Sequence, residues 1–126
     1  MERYNPAYAP DPEKWQALDE DERIALIQRF HEQHDEDIPK EAVPLHAAIH
    51  AVVENQLAMR IGPVAATVER LTRQGLDRHE AIHAVGAILA EEMHALMSDD
   101  AQSMSQDRYH KRLGKLTAKR WMKGKW

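Results

Sequence analysis

The chain has 126 residues, of which 43% are hydrophobic and 30% charged, a composition that reads as globular rather than disordered and suits one domain able to bury a core. It has no cysteine, which excludes disulfides, thiolate metal sites and thiol nucleophiles; any metal must be held by His, Asp, Glu or carbonyl oxygen. The net charge of −4 hides a split: from Gln106 to Trp126 eight basic residues stand against one acid, giving +7 there and −11 on the remainder.

The opening stretch M-E-R-Y-N-P-A-Y lacks the apolar core of a signal peptide, and no apolar run approaches the ~20 residues of a membrane span. The expected compartment is the cytoplasm. Residues 1–17 hold Pro6, Pro10 and Pro12 with Tyr4, Tyr8 and Trp15, and read as an extended arm that packs by its aromatic rings. A helix then starts at Asp19, a good N-cap, with Glu22 three residues later completing a capping box. Ile24, Ile27 and Phe30, with Leu26 nearby, supply its buried stripe. The stretch D-E-D-I-P-K ends it. A second helix spans about Glu41 to Met59, with Pro44 tolerable only in its first turn. Gly62 and Pro63 stop it and start a third, Val64 to Gln74, whose Val64, Val68 and Leu71 face inward and whose C-cap is Gly75. A fourth opens at Asp77, with Glu80 at its third position, and runs to about Met97, where S-D-D breaks it. The last begins near Gln106 and carries Tyr109, Leu113 and Leu116 on one face. Nothing alternates with the period of a strand. The fold class is therefore all-α, a bundle of about five helices with the central three running up-down-up. Residues 1–104 form a single helical domain, and 105–126 a basic C-terminal helix.

Two segments repeat. H-A-A-I-H-A-V from His46 and H-E-A-I-H-A-V from His79 match at six of seven positions, at an offset of 33 residues. That offset equals a helix, a turn, another helix and a turn. At about 100° per residue, His46 and His50 share one helix face, and so do His79 and His83. In the second helix Leu45, Ile49, Val52, Val53 and Leu57 form the apolar arc with the histidines on its edge. In the fourth, Ile82, Val85, Leu89, Met93 and Leu96 do the same. An up-down-up order makes these two helices parallel and brings both pairs to one level. A homodimer is a second way to unite them. Four neutral imidazoles suit Zn(II), Ni(II), Fe or Cu, zinc first among them. Glu54, one turn beyond His50, is a candidate fifth ligand or an acceptor that fixes an imidazole tautomer. Gln56 falls within the apolar arc and needs a buried hydrogen-bond partner. The positive ends of two helix dipoles oppose a cation there by about 0.3–1 kcal/mol each, which metal–imidazole bonds outweigh.

His79-Glu80-Ala81-Ile82-His83 also fits H-E-x-x-H, in which two histidines bind zinc and the glutamate is a general base. Glu80 has a plainer role as capping-box partner of Asp77, and the other copy has Ala47 at that place. Glu80-x-x-His83 and Glu91-x-x-His94 have the spacing of di-iron bundles, but both fall on one helix where two are required. Glu91, Glu92 and His94 read as a solvated edge. His31 and His34 sit near a helix C-terminus and suit carbonyl capping. His110 reads as surface.

On Leu45, His46, His50, Glu54 and Gln56, followed by His79 and His83, the span from Pro44 to about Met97 resembles an uncharacterised bacterial family with paired H-x-x-x-H motifs. The resemblance implies a small helical bacterial protein and carries no activity. The last segment, R-Y-H-K-R-L-G-K-L-T-A-K-R-W-M-K-G-K-W, interleaves cations with Tyr109, Trp121 and Trp126, the ingredients of nonspecific nucleic-acid binding. An acidic body repels polyanions, which favours docking of that helix on the body. The expected function is metal binding at His46, His50, His79 and His83, with Glu54 as an added ligand. The alternatives are an interaction protein that uses its basic tail on nucleic acid or a protein partner, and a metal-dependent hydrolase with Glu80 or Glu54 as base.

Overall fold

A computed structural model describes residues 1–34, 38–98 and 106–126. Among these the chain is all-α, with seven α-helices, one 3-10 turn and no strand. No helix among the described residues is long and apolar enough to cross a membrane. The breaks expected at D-E-D and S-D-D lie largely outside the described residues. The chain forms two compact units, 1–60 and 61–126.

The first unit contains α1 (Pro12–Ala17), α2 (Glu20–His34), a 3-10 turn (Lys40–Ala42) and α3 (Val43–Ala58). The expected extended arm therefore ends early, because residues 12–17 are helical. Asp11 caps α1 by accepting from the backbone N–H groups of Glu13 and Lys14, and Pro12 stands where a helix needs no N–H donor. The capping box of α2 forms as expected: Asp19 Oδ1 accepts from the Glu22 amide at 2.8 Å, and Glu22 Oε1 from the Asp19 amide at 3.2 Å. Tyr4, Trp15, Leu26, Ile27, Ala47 and Ala51 form the core, with Leu18, Ile24, Phe30 and Ala58 packed against it. The Trp15 indole is fully buried and donates to Asn55 Oδ1 at 2.9 Å.

The buried face of α3 differs from expectation. Val43, Ala47, His50, Ala51, Val53 and Glu54 are buried, whereas Leu45 is 68% exposed and Ile49, Val52, Gln56 and Leu57 are half-buried. The small side chains of Ala47 and Ala51 allow close approach of the core's large rings, so packing turns the alanine–histidine stripe inward at the expense of Leu45.

The second unit contains α4 (Gly62–Arg73), α5 (Arg78–Ser98), α6 (Gln106–Lys115) and α7 (Ala118–Met122), so the single last helix expected from Gln106 is two, the second capped by Thr117. Val64, Val68 and Leu71 of α4 are buried as expected. Gly75 ends that turn at φ +110°, a conformation side chains resist, and lets the Leu76 amide reach the Leu71 carbonyl at 3.1 Å. Asp77 caps α5 through the Glu80 amide at 2.7 Å. Ile82, Val85 and Leu89 are buried with Ala81, Ala84 and Ile88, while Leu96, expected inside, is exposed. Tyr109, Leu113 and Leu116 are buried, as their spacing predicts. Arg70 of α4 donates to the carbonyls of Leu113 at 2.7 Å and Leu116 at 2.9 Å, satisfying acceptors that α6 leaves open at its end.

Candidate metal centre

In the first unit three imidazoles gather between α2 and α3. His31 and His50 are 1% and 2% exposed, and His46 is half-buried. The ring centroids of His31 lie 4.6 Å from those of His46 and 5.1 Å from those of His50, and His46 and His50 are 6.0 Å apart. The Phe30 ring meets His31 edge-on at 5.5 Å.

Hydrogen-bond partners fix the proton on each ring. His31 Nδ1 lies 2.8 Å from the Ile27 carbonyl, which only accepts, so Nδ1 carries the proton. In the neutral imidazole Nε2 then carries the lone pair. His46 Nε2, 3.1 Å from that nitrogen, must therefore be the donor. The Tyr4 hydroxyl donates to Glu54 Oε2 and lies 2.8 Å from His50 Nε2. Its single proton is engaged by the carboxylate, so it accepts from His50 Nε2–H, and the His50 lone pair falls on Nδ1. Two buried imidazoles thus each present a basic nitrogen, with the opposite nitrogen donating into the protein. That is the protonation pattern of a metal-ligating histidine, whose second N–H is tied to a carbonyl or a carboxylate.

Glu54, expected as ligand or acceptor, is 1% exposed and holds the Tyr4 hydroxyl. Burial of a carboxylate is costly without such donors. His34 donates to the Phe30 carbonyl at 3.1 Å, the capping role expected of it, and stacks on the Phe30 ring at 4.5 Å. His31 makes the same kind of contact but belongs to the histidine group. The sequence carries a signal for this: His31 lies four residues after the buried Ile27, on the apolar stripe of α2. Tyr4 has no comparable signal.

In the second unit His79 and His83 stand one turn apart on α5, half-buried, with ring centroids 4.2 Å apart. Glu80 Oε1 accepts from the Trp121 indole at 2.7 Å, and its Oε2 lies 3.8 Å from His83 Nδ1. One oxygen of the expected general base is thereby occupied by an indole.

Glu92, read from the sequence as solvated, is instead 3% exposed. Arg108 Nη2 approaches its Oε2 at 2.6 Å and Arg112 Nη1 its Oε1 at 3.2 Å. The hydrogen bond from Arg108, and then that from Arg112, hold its pKa below the ordinary value of 4.5 against the opposing effect of burial. Two arginines of α6 supply the compensating charge, which the sequence of α5 alone does not reveal. Glu91 is exposed, pairs with Arg112 at 2.5 Å and accepts from the Trp126 indole at 2.9 Å. His94 is exposed, as an edge residue should be.

Comparison of the chain with family models, with curated proteins and with solved structures finds no match.

Proposed function

We propose that this protein binds a divalent transition-metal ion, zinc first among the candidates, through the imidazoles of His31, His50, His79 and His83. The observation that carries the reading lies within the first unit. His31 Nε2 and His50 Nδ1 bear the lone pairs of two buried rings whose centroids are 5.1 Å apart, each ring fixed from behind by its own acceptor. The repeated H-x-x-x-H segment supplies a second pair, His79 and His83, one helical turn apart, and four imidazoles are a number suited to tetrahedral zinc. His31 enters this set where the repeat alone suggests His46, and His46 becomes the residue that donates to His31. A metal at His31 Nε2 takes the place of that donated hydrogen bond. Four neutral ligands leave the ion its full charge, and the Glu54 carboxylate behind Tyr4 offsets part of it.

The other readings rank lower on specific contacts. Glu80 of H-E-x-x-H gives an oxygen to Trp121, and Arg108 and Arg112 of the basic segment give charge to Glu91 and Glu92 rather than to an external polyanion.

Elemental analysis of the purified, untagged chain tests the reading. The expected result is close to one metal per chain after loading with Zn(II), lost in His31→Ala, His50→Ala and His83→Ala and largely kept in His46→Ala. Wild-type protein that stays empty after reloading with Zn(II), Fe(II) and Ni(II) overturns it.

A further inference from the structure

The metal reading leaves one buried group without a task. Tyr4 comes from the N-terminal arm, 46 residues before His50 and 50 before Glu54, yet its hydroxyl sits between those two side chains. It is 5% exposed. Its ring lies 5.7 Å from Trp15, 6.3 Å from Phe30 and 5.4 Å from His50, the last two edge-on. A tyrosine seated for packing alone needs no carboxylate. Here the hydroxyl gives its proton to Glu54 and, as a consequence, has only lone pairs to offer His50.

We propose that Tyr4 is the positioning residue of this site: its hydroxyl relays Glu54 to His50, holds the His50 proton on Nε2, and so couples metal affinity to docking of the N-terminal arm. The inference rests on the metal reading and adds its regulation.

A phenol that donates to a carboxylate becomes a better acceptor, because hydrogen bonds in a chain polarise one another. His50 Nε2–H then donates into a stronger acceptor, which raises the basicity of Nδ1 and fixes the plane of the ring. Groups in this position behind a ligating histidine are worth about 10–100-fold in metal affinity. Coupling is reciprocal: if the docked arm strengthens metal binding, bound metal must hold the arm down by the same factor. Residues 1–11 contain no helix or strand, and the hydroxyl relay and the ring contacts seat Tyr4 in the core. Arg3, exposed and next to Tyr4, offers a tryptic site that reports arm release.

The experiment measures Zn(II) affinity by competition with a chromogenic chelator for wild type, Tyr4→Phe, Glu54→Gln and the double variant. Cleavage after Arg3 by trypsin is followed by mass spectrometry with and without Zn(II). Tyr4→Phe should keep the helical circular dichroism and bind Zn(II) about 10–100-fold more weakly. Glu54→Gln should weaken binding in the same direction, and the double variant should be no weaker than Tyr4→Phe, because both changes break one relay. Zn(II) should slow cleavage at Arg3 in wild type and much less in Tyr4→Phe. A merely structural tyrosine would give additive losses and no difference in protection. Tyr4→Phe binding within twofold of wild type, or additive losses in the double variant, overturns this inference while leaving the metal reading standing. Wild type that binds no Zn(II) overturns both. Should Tyr4→Phe fail to fold, Glu54→Gln decides alone: Zn(II) affinity unchanged within twofold overturns the relay.

Discussion

Glu92 is a buried carboxylate that two arginines hold. It lies between Glu91 and His94 on α5, in a run that looks solvated, and is buried because Arg108 and Arg112 reach it from α6. Its pKa is lowered in the folded chain, chiefly by the hydrogen bond from Arg108. In the unfolded chain the carboxyl titrates near its ordinary value of 4.5. Between the two, the unfolded state binds more protons, so stability falls as pH drops through the ordinary value toward the depressed one. Urea titrations from pH 7 to pH 3 should show wild type losing stability more steeply than Glu92→Gln across that interval. At pH 7 Glu92→Gln should cost about 1–3 kcal/mol, less than the ~3–5 kcal/mol of breaking a wholly buried pair, because Arg108 is half exposed and its interaction is screened. A variant with the same acid slope as wild type would show that the pair contributes nothing to folding.

Among the elements, α1 shows how six residues become worth ordering. Its helix is too short to persist alone, since nucleation is costly and only a turn and a half follows. Asp11 satisfies two of its open N–H groups, and Trp15 carries it into the core. Around the indole, Arg23 donates to the Trp15 carbonyl at 3.0 Å and to Asn55 Oδ1 at 3.1 Å, the oxygen that also accepts from the Trp15 ring. α1, α2 and α3 thus share one polar clasp above a hydrophobic contact. Trp15→Ala should cost about 3–5 kcal/mol by loss of buried area and the cavity left behind, a large drop in the thermal midpoint. A change below about 1 kcal/mol would mean the site collapses without penalty. The same substitution should weaken Zn(II) binding, since Tyr4 packs on that ring.

At the scale of the molecule, each compact unit has about sixty residues and its own buried side chains. Units of that size bury only about 60% of their chain surface and fold with little margin. A ligand that binds the folded state alone adds stability by mass action, about 2.7 kcal/mol at a hundred times its dissociation constant. Excess Zn(II) should therefore raise the thermal midpoint of wild type by several degrees, a chelator should return it, and His50→Ala should show no rise. A midpoint unmoved by Zn(II) in wild type would contradict the proposed site.

Much of this protein was legible in its sequence. Helix starts and stops at Asp19, Asp77, Pro63 and Gly75 are local, because a cap or a left-handed turn is decided by residues three or four positions apart. The inward face of α6, Tyr109, Leu113 and Leu116, followed from helical spacing with one clear hydrophobic stripe. The paired histidines, and Glu54 one turn beyond His50, followed from the same periodicity. Periodicity states which residues share a face, however, and not which face is buried when two compete. On α3 that choice went to Ala47, His50, Ala51 and Glu54 over Leu45, because small residues admit the rings of α1 and α2. The entry of His31, the arginines around Glu92 and the placing of Tyr4 against Glu54 all join residues that lie far apart along the chain. Such contacts carry no local signature: each exists because burying a polar group is tolerated only beside a partner, and the tertiary fold alone determines which partner is within reach.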